Sequence, residues 1–211
     1  MRSFPRSWGF SRDFDVFDFN TGVIITPFAT GAPALSGIDV YLDGSGSHII
    51  VTNGQGRYEA NGGNDTVGVI DSAFAETVDG GPGRDLLITS DTSTGYRLDM
   101  ETGVTNVDGE RLTGFEDARL GDGDDTLQGT ADANDIEAGQ GADDIEGRAG
   151  NDTIEGQEGD DLLRGGDDDD TLFGQEGADT LAGNDGADQM RGGENADRLF
   201  GGAGKDTMAG N

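Results

Sequence analysis

The sequence "GRAGNDTIEGQEGDDLLRGGDDDDTLFG" occupies residues 147–174 and sets single aliphatic residues among glycines and aspartates. Ile154, Leu163 and Leu172 recur in it every nine positions. An amphipathic helix would repeat near 3.6 residues and a half-buried strand near 2. A period of nine fits neither element, so the stretch indicates a longer structural repeat in which each unit buries one side chain.

The nine-residue period holds without interruption over residues 120–209. Ten apolar residues take the core position: Leu127, Ile136, Ile145, Ile154, Leu163, Leu172, Leu181, Met190, Leu199 and Met208. Two residues before them stands a polar column: Asp125, Asn134, Asp143, Asp152, Asp161, Asp170, Asp179, Asp188, Asp197 and Asp206. Two residues earlier again, seven of the ten copies have glycine: Gly123, Gly141, Gly150, Gly159, Gly177, Gly186 and Gly204. Three columns in one register cannot be an accident of low complexity.

Charge and composition exclude several classes of partner. The 211 residues carry 13 Lys and Arg against 43 Asp and Glu, for a formal net charge of -30. Nucleic acid and anionic membrane surfaces are polyanions, so neither is expected as a partner. No segment approaches the length of a membrane span, so no membrane insertion is expected. Only 32% of residues are hydrophobic, which alone would favour disorder, but the columns in register favour an ordered repeat.

One copy, "GGAGKDTMA" at residues 201–209, matches a known pattern at every position. The pattern is glycine-glycine-x-glycine-x-aspartate-x-apolar-x, and the array resembles the RTX (haemolysin-type) calcium-binding nonapeptide family. The resemblance implies an all-β protein, a parallel β-roll or right-handed β-solenoid, regular over residues 120–211. In that fold each nonapeptide gives a six-residue turn and a three-residue strand, and two nonapeptides complete one 18-residue coil. The middle residue of each strand then points inward.

The resemblance also implies several calcium ions, each bound between turns stacked one coil apart. Aspartates 18 residues apart would share a site, and backbone carbonyls of the turn would complete the shell. The acids could instead form a solvated face, as charge runs usually do, but their register with the glycines favours ligands. Up to about eight ions are expected over residues 120–211. The copy that contains Asn134 lacks a charged ligand, so its site is expected to be weak or empty.

The candidate ligands fall into three groups. The column aspartates are Asp125, Asp143, Asp152, Asp161, Asp170, Asp179, Asp188, Asp197 and Asp206. The glycines that open each turn would contribute carbonyls: Gly147, Gly156, Gly165, Gly174, Gly183 and Gly192. Two isolated copies of the motif, "ANGGNDTVG" (60–68) and "GGPGRDLLI" (80–88), add Asp65 and Asp85.

The chain divides into three parts. Residues 1–38 hold Trp8, the one tryptophan, and six of the ten phenylalanines. This aromatic segment is expected to be a cap over the end of the roll or, alternatively, a docking surface. Residues 39–119 are an irregular, roll-like region with a spacer, and residues 120–211 are the regular array.

The irregular region contains short apolar runs between glycine-rich turns. "HIIV", "RYEA", "DTVGVI" and "DLLIT" are expected to be strands. The spacer at 91–119 loses the repeat, and strands are expected around Leu98, Val104 and Phe115. Turns at Thr102–Gly103 and Asp108–Gly109 would separate them.

Outward positions of the array allow two further expectations. Glu146 and Arg164 lie one coil apart, so they should be neighbours with an energetic coupling. Phe173 and Phe200 follow core residues and should face outward, where they would pack on neighbours or mark a contact surface.

Catalysis is not expected. The zinc motif His-Glu-x-x-His is excluded because His48 is the one histidine, and no Gly-x-Ser-x-Gly occurs. There is no cysteine, so thiol chemistry is excluded as well. Aspartate and glutamate pairs are too numerous for any one of them to indicate a catalytic pair.

The expected function is a calcium-binding module that is disordered without Ca²⁺ and folds into a β-roll outside the cell. RTX proteins typically leave bacteria unfolded through type I secretion machinery, and the first residues show no apolar run of a cleaved signal. The expected location is extracellular. Two alternatives stay open: an adhesive protein that binds a surface polysaccharide or a protein partner, and the non-catalytic tail of a larger secreted hydrolase or toxin.

Overall fold

The computed structural model describes the backbone of residues 14–19, 22–27, 38–41, 49–52 and 56, and residues 57–69, 77–89 and 95–210 in full. Trp8, most of the aromatic segment 1–38, and His48 lie outside the described residues. Every regular element within the described ranges is a strand, and they contain no apolar helix long enough to cross a bilayer.

Twelve of the described strands precede the regular array: β1 (Phe14–Phe19), β2 (Gly22–Pro27), β3 (Ile38–Tyr41), β4 (Ile49–Thr52), β5 (Gly56–Glu59), β6 (Thr66–Val69), β7 (Thr77–Asp79), β8 (Leu86–Thr89), β9 (Arg97–Asp99), β10 (Val104–Thr105), β11 (Arg111–Thr113) and β12 (Asp117–Arg119). The regular array holds the other ten: β13 (Thr126–Gln128), β14 (Asp135–Gln140), β15 (Asp144–Ala149), β16 (Thr153–Glu158), β17 (Leu162–Asp167), β18 (Thr171–Glu176), β19 (Thr180–Asp185), β20 (Gln189–Glu194), β21 (Arg198–Ala203) and β22 (Thr207–Ala209).

These strands form two eleven-stranded sheets whose members alternate along the array. Sheet A runs β1-β2-β4-β6-β8-β12-β14-β16-β18-β20-β22, and sheet B runs β21-β19-β17-β15-β13-β9-β10-β11-β7-β5-β3. Within the array each strand pairs in parallel with the strand 18 residues later, for example Ile145 with Leu163. The predicted parallel β-solenoid with 18-residue coils is confirmed.

The core is a double row of aliphatic side chains between the two sheets. The column from Leu127 to Leu181 is fully buried, and Met190 is 3% exposed. The expectation that all ten column residues lie inside is wrong for the last two, because Leu199 is only partly buried and Met208 is 52% exposed. They lie on β21 and β22, the end strands of the sheets, where no further coil of the described residues covers them. Burial of each core residue therefore depends on coils on both sides.

The two outward phenylalanines differ in the same way. Phe173 is half-buried, and Glu155 and Arg191 are its partners in the flanking strands. Phe200 is 57% exposed on the end strand β21, so of the two alternatives its exposure favours a contact surface over packing.

The array strands are longer than the resemblance implied. Most have six residues, because parallel pairing continues through the second and third motif positions, as in Gly139 with Gln157. The second position takes a left-handed backbone even where it is not glycine: φ is 84° at Arg148, 79° at Gln157 and 80° at Gln175. Such φ values are uncommon for these residue types. Here the chain bends at this position without leaving the ladder, so the three-residue strand was wrong.

The spacer adds an antiparallel strand, β10, to sheet B. β10 pairs antiparallel with β9 and with β11, and glycines at positive φ, Gly103 (69°) and Gly109 (85°), turn the chain between them. The strands expected at Leu98 and Val104 are confirmed. The strand expected around Phe115 is wrong: this residue is 2% exposed in the connection between β11 and β12, where it fills the core from a turn.

At the start of sheet A, β1 and β2 pair antiparallel, and β2 continues in parallel to β4. The role of residues 1–38 as a cap or a docking surface stays a prediction, as do the three-part domain boundaries.

Arg164 shows how side chains of neighbouring coils meet on the outer face. Glu146 and Arg164 are partners in the ladder, as expected. However, the guanidinium of Arg164 pairs with Asp144 at 2.6 Å, while Glu146 accepts a hydrogen bond from Gln128 at 3.1 Å. A long side chain reaches past its direct partner, so the ion pair is diagonal.

Double-mutant cycles should locate the coupling of Arg164. Both partners are solvated, so we expect about 0.2–1 kcal/mol between Arg164 and Asp144 and almost none between Arg164 and Glu146. Urea unfolding in saturating calcium, with Ala substitutions in each cycle, measures both. A larger coupling to Glu146 would contradict the diagonal pair.

Candidate metal centre

The column aspartates stand at the end of each turn, immediately before the next strand. The six from Asp143 to Asp188 are at most 2% exposed, and Asp65, Asp85 and Asp125 are equally buried. Carboxylates are seldom fully buried unless they are paired or coordinate a metal. The columns therefore need a partner for their charge.

One carboxylate oxygen of each column aspartate is held by the backbone. The N–H of Asp143 donates to Oδ1 of Asp161 at 2.9 Å, and the same bond joins Asp152 to Asp170 at 2.9 Å. It recurs for every predicted pair, with lengths of 2.7–3.2 Å. Asp65 and Asp85 are joined in the same way at 2.7 Å, across 20 residues rather than 18. The structure thus brings together every aspartate pair that the sequence predicted.

The second carboxylate oxygen, Oδ2, has no such bond in most of the column. In the described part of the chain it is buried and accepts no hydrogen bond in nine column aspartates: Asp85, Asp125, Asp143, Asp152, Asp161, Asp170, Asp179, Asp188 and Asp197. A buried polar atom without a partner costs about 1–3 kcal/mol, more if charged. A repeated row of such atoms could hold a cation between the turns.

The opening glycine of each turn leaves room beside this oxygen. A Cβ atom on Gly147 would overlap Oδ2 of Asp152 and lie 2.7 Å from the carbonyl oxygen of Gly165, one coil further on. The next turns repeat the arrangement, with a Gly174 Cβ placed 2.6 Å from the carbonyl of Gly192. Carboxylate and carbonyl oxygens therefore converge on a space that any side chain would fill.

Burial makes the ionised form of these aspartates unfavourable. It raises the pKa of Asp161 and Asp170 to about 7, although the hydrogen bond from the preceding coil partly offsets this and neighbouring aspartates add to it. Burial likewise raises the pKa of Asp125, Asp143 and Asp152 to about 6. Asp161 and Asp170 are therefore about half-protonated at neutral pH unless a cation stabilises their charge.

Side chains alone do not make a complete metal shell. No group of three His, Cys, Asp or Glu side chains comes close enough to hold a metal ion among the described residues. Two aspartates per pair leave most of the shell to backbone carbonyls. Calcium takes 6–8 oxygen ligands, carbonyls included, so this donor set fits Ca²⁺ and does not suit a metal that prefers nitrogen or sulfur.

The comparison with known families agrees with this geometry. The model of the RTX calcium-binding nonapeptide repeat matches residues 120–154, 146–181 and 182–211. Residues 120–211 are an RTX repeat array. The family predicted from the sequence is therefore confirmed for this segment. No curated protein matches the chain.

In the RTX array, the side chain of Asn134 and the carbonyl of Gly129 are engaged by hydrogen bonds within the protein. Oδ1 of Asn134 accepts the N–H of Thr130 at 2.8 Å, and its amide nitrogen donates to the carbonyl of Glu116 at 2.6 Å. The guanidinium of Arg148 donates to the carbonyl oxygen of Gly129 at 2.9 Å. Gly129 opens its turn, so this carbonyl oxygen is already engaged in a hydrogen bond. The weak or empty site at Asn134 stays a prediction, and these contacts favour it.

Glu116 was missed as a member of the column. It precedes β12, and its Oε2 accepts the N–H of Asp85 at 2.8 Å, the bond that an aspartate makes elsewhere. A signal existed: Glu116 lies nine residues before Asp125, and Ala118, at the core position, is fully buried. The nine-residue spacing thus extends one unit before the matched segment.

Proposed function

We propose that residues 120–211 are a calcium-dependent folding module, in which ions between the coils hold the two aspartate columns together. The row of buried Oδ2 atoms without hydrogen bonds carries this proposal. The ligands are the predicted column aspartates and the carbonyls of the opening glycines. Asp65 and Asp85 form a comparable pair outside the matched repeats.

The charge of the array supports a dependence on calcium. From Gly121 to Asn211 the sequence has 25 acidic and 5 basic residues, so the folded roll concentrates a net charge of -20. Eight predicted pairs, each with one Ca²⁺, would bring +16. Each site filled at ten times its dissociation constant adds about 1.4 kcal/mol, or about 11 kcal/mol for eight sites. That sum equals the whole stability of an ordinary domain, about 5–15 kcal/mol.

The expected calcium affinity bears on where the module works, inside or outside the cell. Extracellular calcium modules bind in the range of about 10⁻⁴–10⁻³ M, far weaker than cytosolic buffers. A module of this affinity stays unfolded inside a cell and folds after export. We therefore place its function outside the cell, where it would aid the secretion and the stability of a protein exported by type I machinery. The acidic composition and the absence of cysteine suit this route.

A pair of substitutions separates ligands from general charge. Asp170 belongs to two predicted sites, because it bonds to Asp152 on one side and to Asp188 on the other. Glu158 is exposed at the third turn position. Asp170→Asn and Glu158→Gln remove the same formal charge. We expect Asp170→Asn to raise the calcium midpoint of folding severalfold and to lower the number of bound ions, and Glu158→Gln to change neither.

Calcium titrations followed by circular dichroism, with stoichiometry from equilibrium dialysis, measure both effects. If repulsion alone governed folding, both variants would fold slightly more easily and bind calcium as the parent does. Equal responses of the two variants would refute Asp170 as a ligand.

A further inference from the structure

We propose that the chain holds one more calcium site outside the matched repeats, between the turns at residues 80–85 and 113–116, and that Glu116 supplies its second carboxylate. The inference rests on the proposed function, since it assumes that the aspartate ladder binds calcium. It adds a ligand of a different residue type, in a coil that the repeat pattern does not cover.

The backbone places Glu116 where the next column aspartate would stand. Leu86 pairs in parallel with Asp117, so the residues just before them, Asp85 and Glu116, face each other. The N–H of Asp85 donates to Glu116 Oε2 at 2.8 Å, as the N–H of Asp161 does to Asp179 at 2.9 Å in the array. The ladder therefore continues across the spacer although 31 residues separate the two carboxylates.

The oxygens between these turns are arranged as they are between two turns of the array. Asp85 is fully buried, and its Oδ2 accepts no hydrogen bond from the described residues. A Cβ on Gly80 would lie 3.0 Å from that oxygen and would overlap the carbonyl oxygen of Gly114. Gly80 stands five residues before Asp85, the spacing of Gly147 and Asp152. A carboxylate oxygen, a carbonyl oxygen and the carboxylate of Glu116 thus surround one space.

The local charges favour a divalent cation. Asp65, Glu116 and Asp79 all act on the carboxylate of Asp85 as like charges. Arg84, the adjacent basic residue, is engaged elsewhere through two 2.8 Å hydrogen bonds to Asp117. An oxygen-preferring cation such as Ca²⁺ meets both the charge and the donor set.

The number of calcium ions bound by the full chain tests this site. Glu116→Gln should bind one ion fewer than the parent at saturating calcium, with folding checked by circular dichroism and ions counted by native mass spectrometry. Glu101→Gln, an exposed change of equal charge in the same spacer, is the matched control and should bind the full number. An unchanged count in Glu116→Gln overturns the inference.

A second pair of variants keeps the test independent of Glu116. Of the two intervals beside Asp85, Asp65→Asn affects the one between Asp65 and Asp85, whereas Asp85→Asn affects both and keeps its N–H bond to Glu116. We expect Asp85→Asn to lose one ion more than Asp65→Asn, and equal losses would overturn the inference. A parent chain that binds no calcium would instead refute the proposed function itself.

Discussion

Removal of calcium should convert most of the strand structure of residues 120–211 into coil. The expected effect is large because the folded array concentrates its acidic residues around buried carboxylates whose second oxygen has no protein partner. Without ions, both the repulsion and the unsatisfied oxygens oppose folding. In circular dichroism the full chain in EDTA should show mainly coil, and added calcium should restore a β spectrum cooperatively near about 10⁻⁴–10⁻³ M.

Two ions serve as controls for calcium. Mg²⁺ prefers a small octahedral shell and holds its waters, so it should restore little structure at the same concentration. NaCl at matched ionic strength screens charge without occupying the sites, and it should restore even less. A full β spectrum in EDTA would contradict a calcium-dependent fold, and equal recovery in NaCl would attribute the effect to screening.

The array could be predicted from the sequence because each column has one physical cause. Apolar residues such as Ile145 need a core, and aspartates such as Asp143 need a partner for a buried charge. Glycines such as Gly147 leave the space between them. These needs recur at one period of nine residues, and the resemblance to the RTX family implied the 18-residue coil and the aspartate pairs.

Other features depend on contacts that the period does not encode. Phe115 fills the core from a turn, where its burial does not require a strand. Arg164 is long enough to pass its ladder partner and reach Asp144. Met208 has the right residue type for the core, but its exposure depends on whether another coil packs over it. Glu116 was hidden because glutamate replaced the aspartate that the pattern required.

Acid should partly replace calcium in stabilising the fold. Burial raises the pKa of Asp161 and Asp170 from an ordinary value of 3.8 to about 7. A group whose folded-state pKa lies above its unfolded value favours the folded state when protonated. That contribution is complete below the unfolded pKa and is lost as the pH rises through about 7. In EDTA, therefore, the β signal in circular dichroism should grow as the pH falls from 8 to 5.

One substitution should reverse its effect between the two states of the array. Asp161→Asn is neutral at every pH and keeps an oxygen for the N–H of Asp143, so it imitates the protonated carboxyl. In EDTA at pH 8 it should stabilise the fold and reduce the dependence on pH. In saturating calcium it should destabilise the fold, because the calcium shells on both sides of Asp161 lose a charged ligand.

Asp185→Asn is the control variant: it removes an exposed charge and should have little effect in either condition. Circular dichroism in EDTA at pH 8 and pH 5 measures the calcium-free effects, and urea unfolding in saturating calcium measures the others. A β signal in EDTA that stays flat or falls on acidification would show that the buried aspartates are not what opposes folding, since their protonation would then bring no gain.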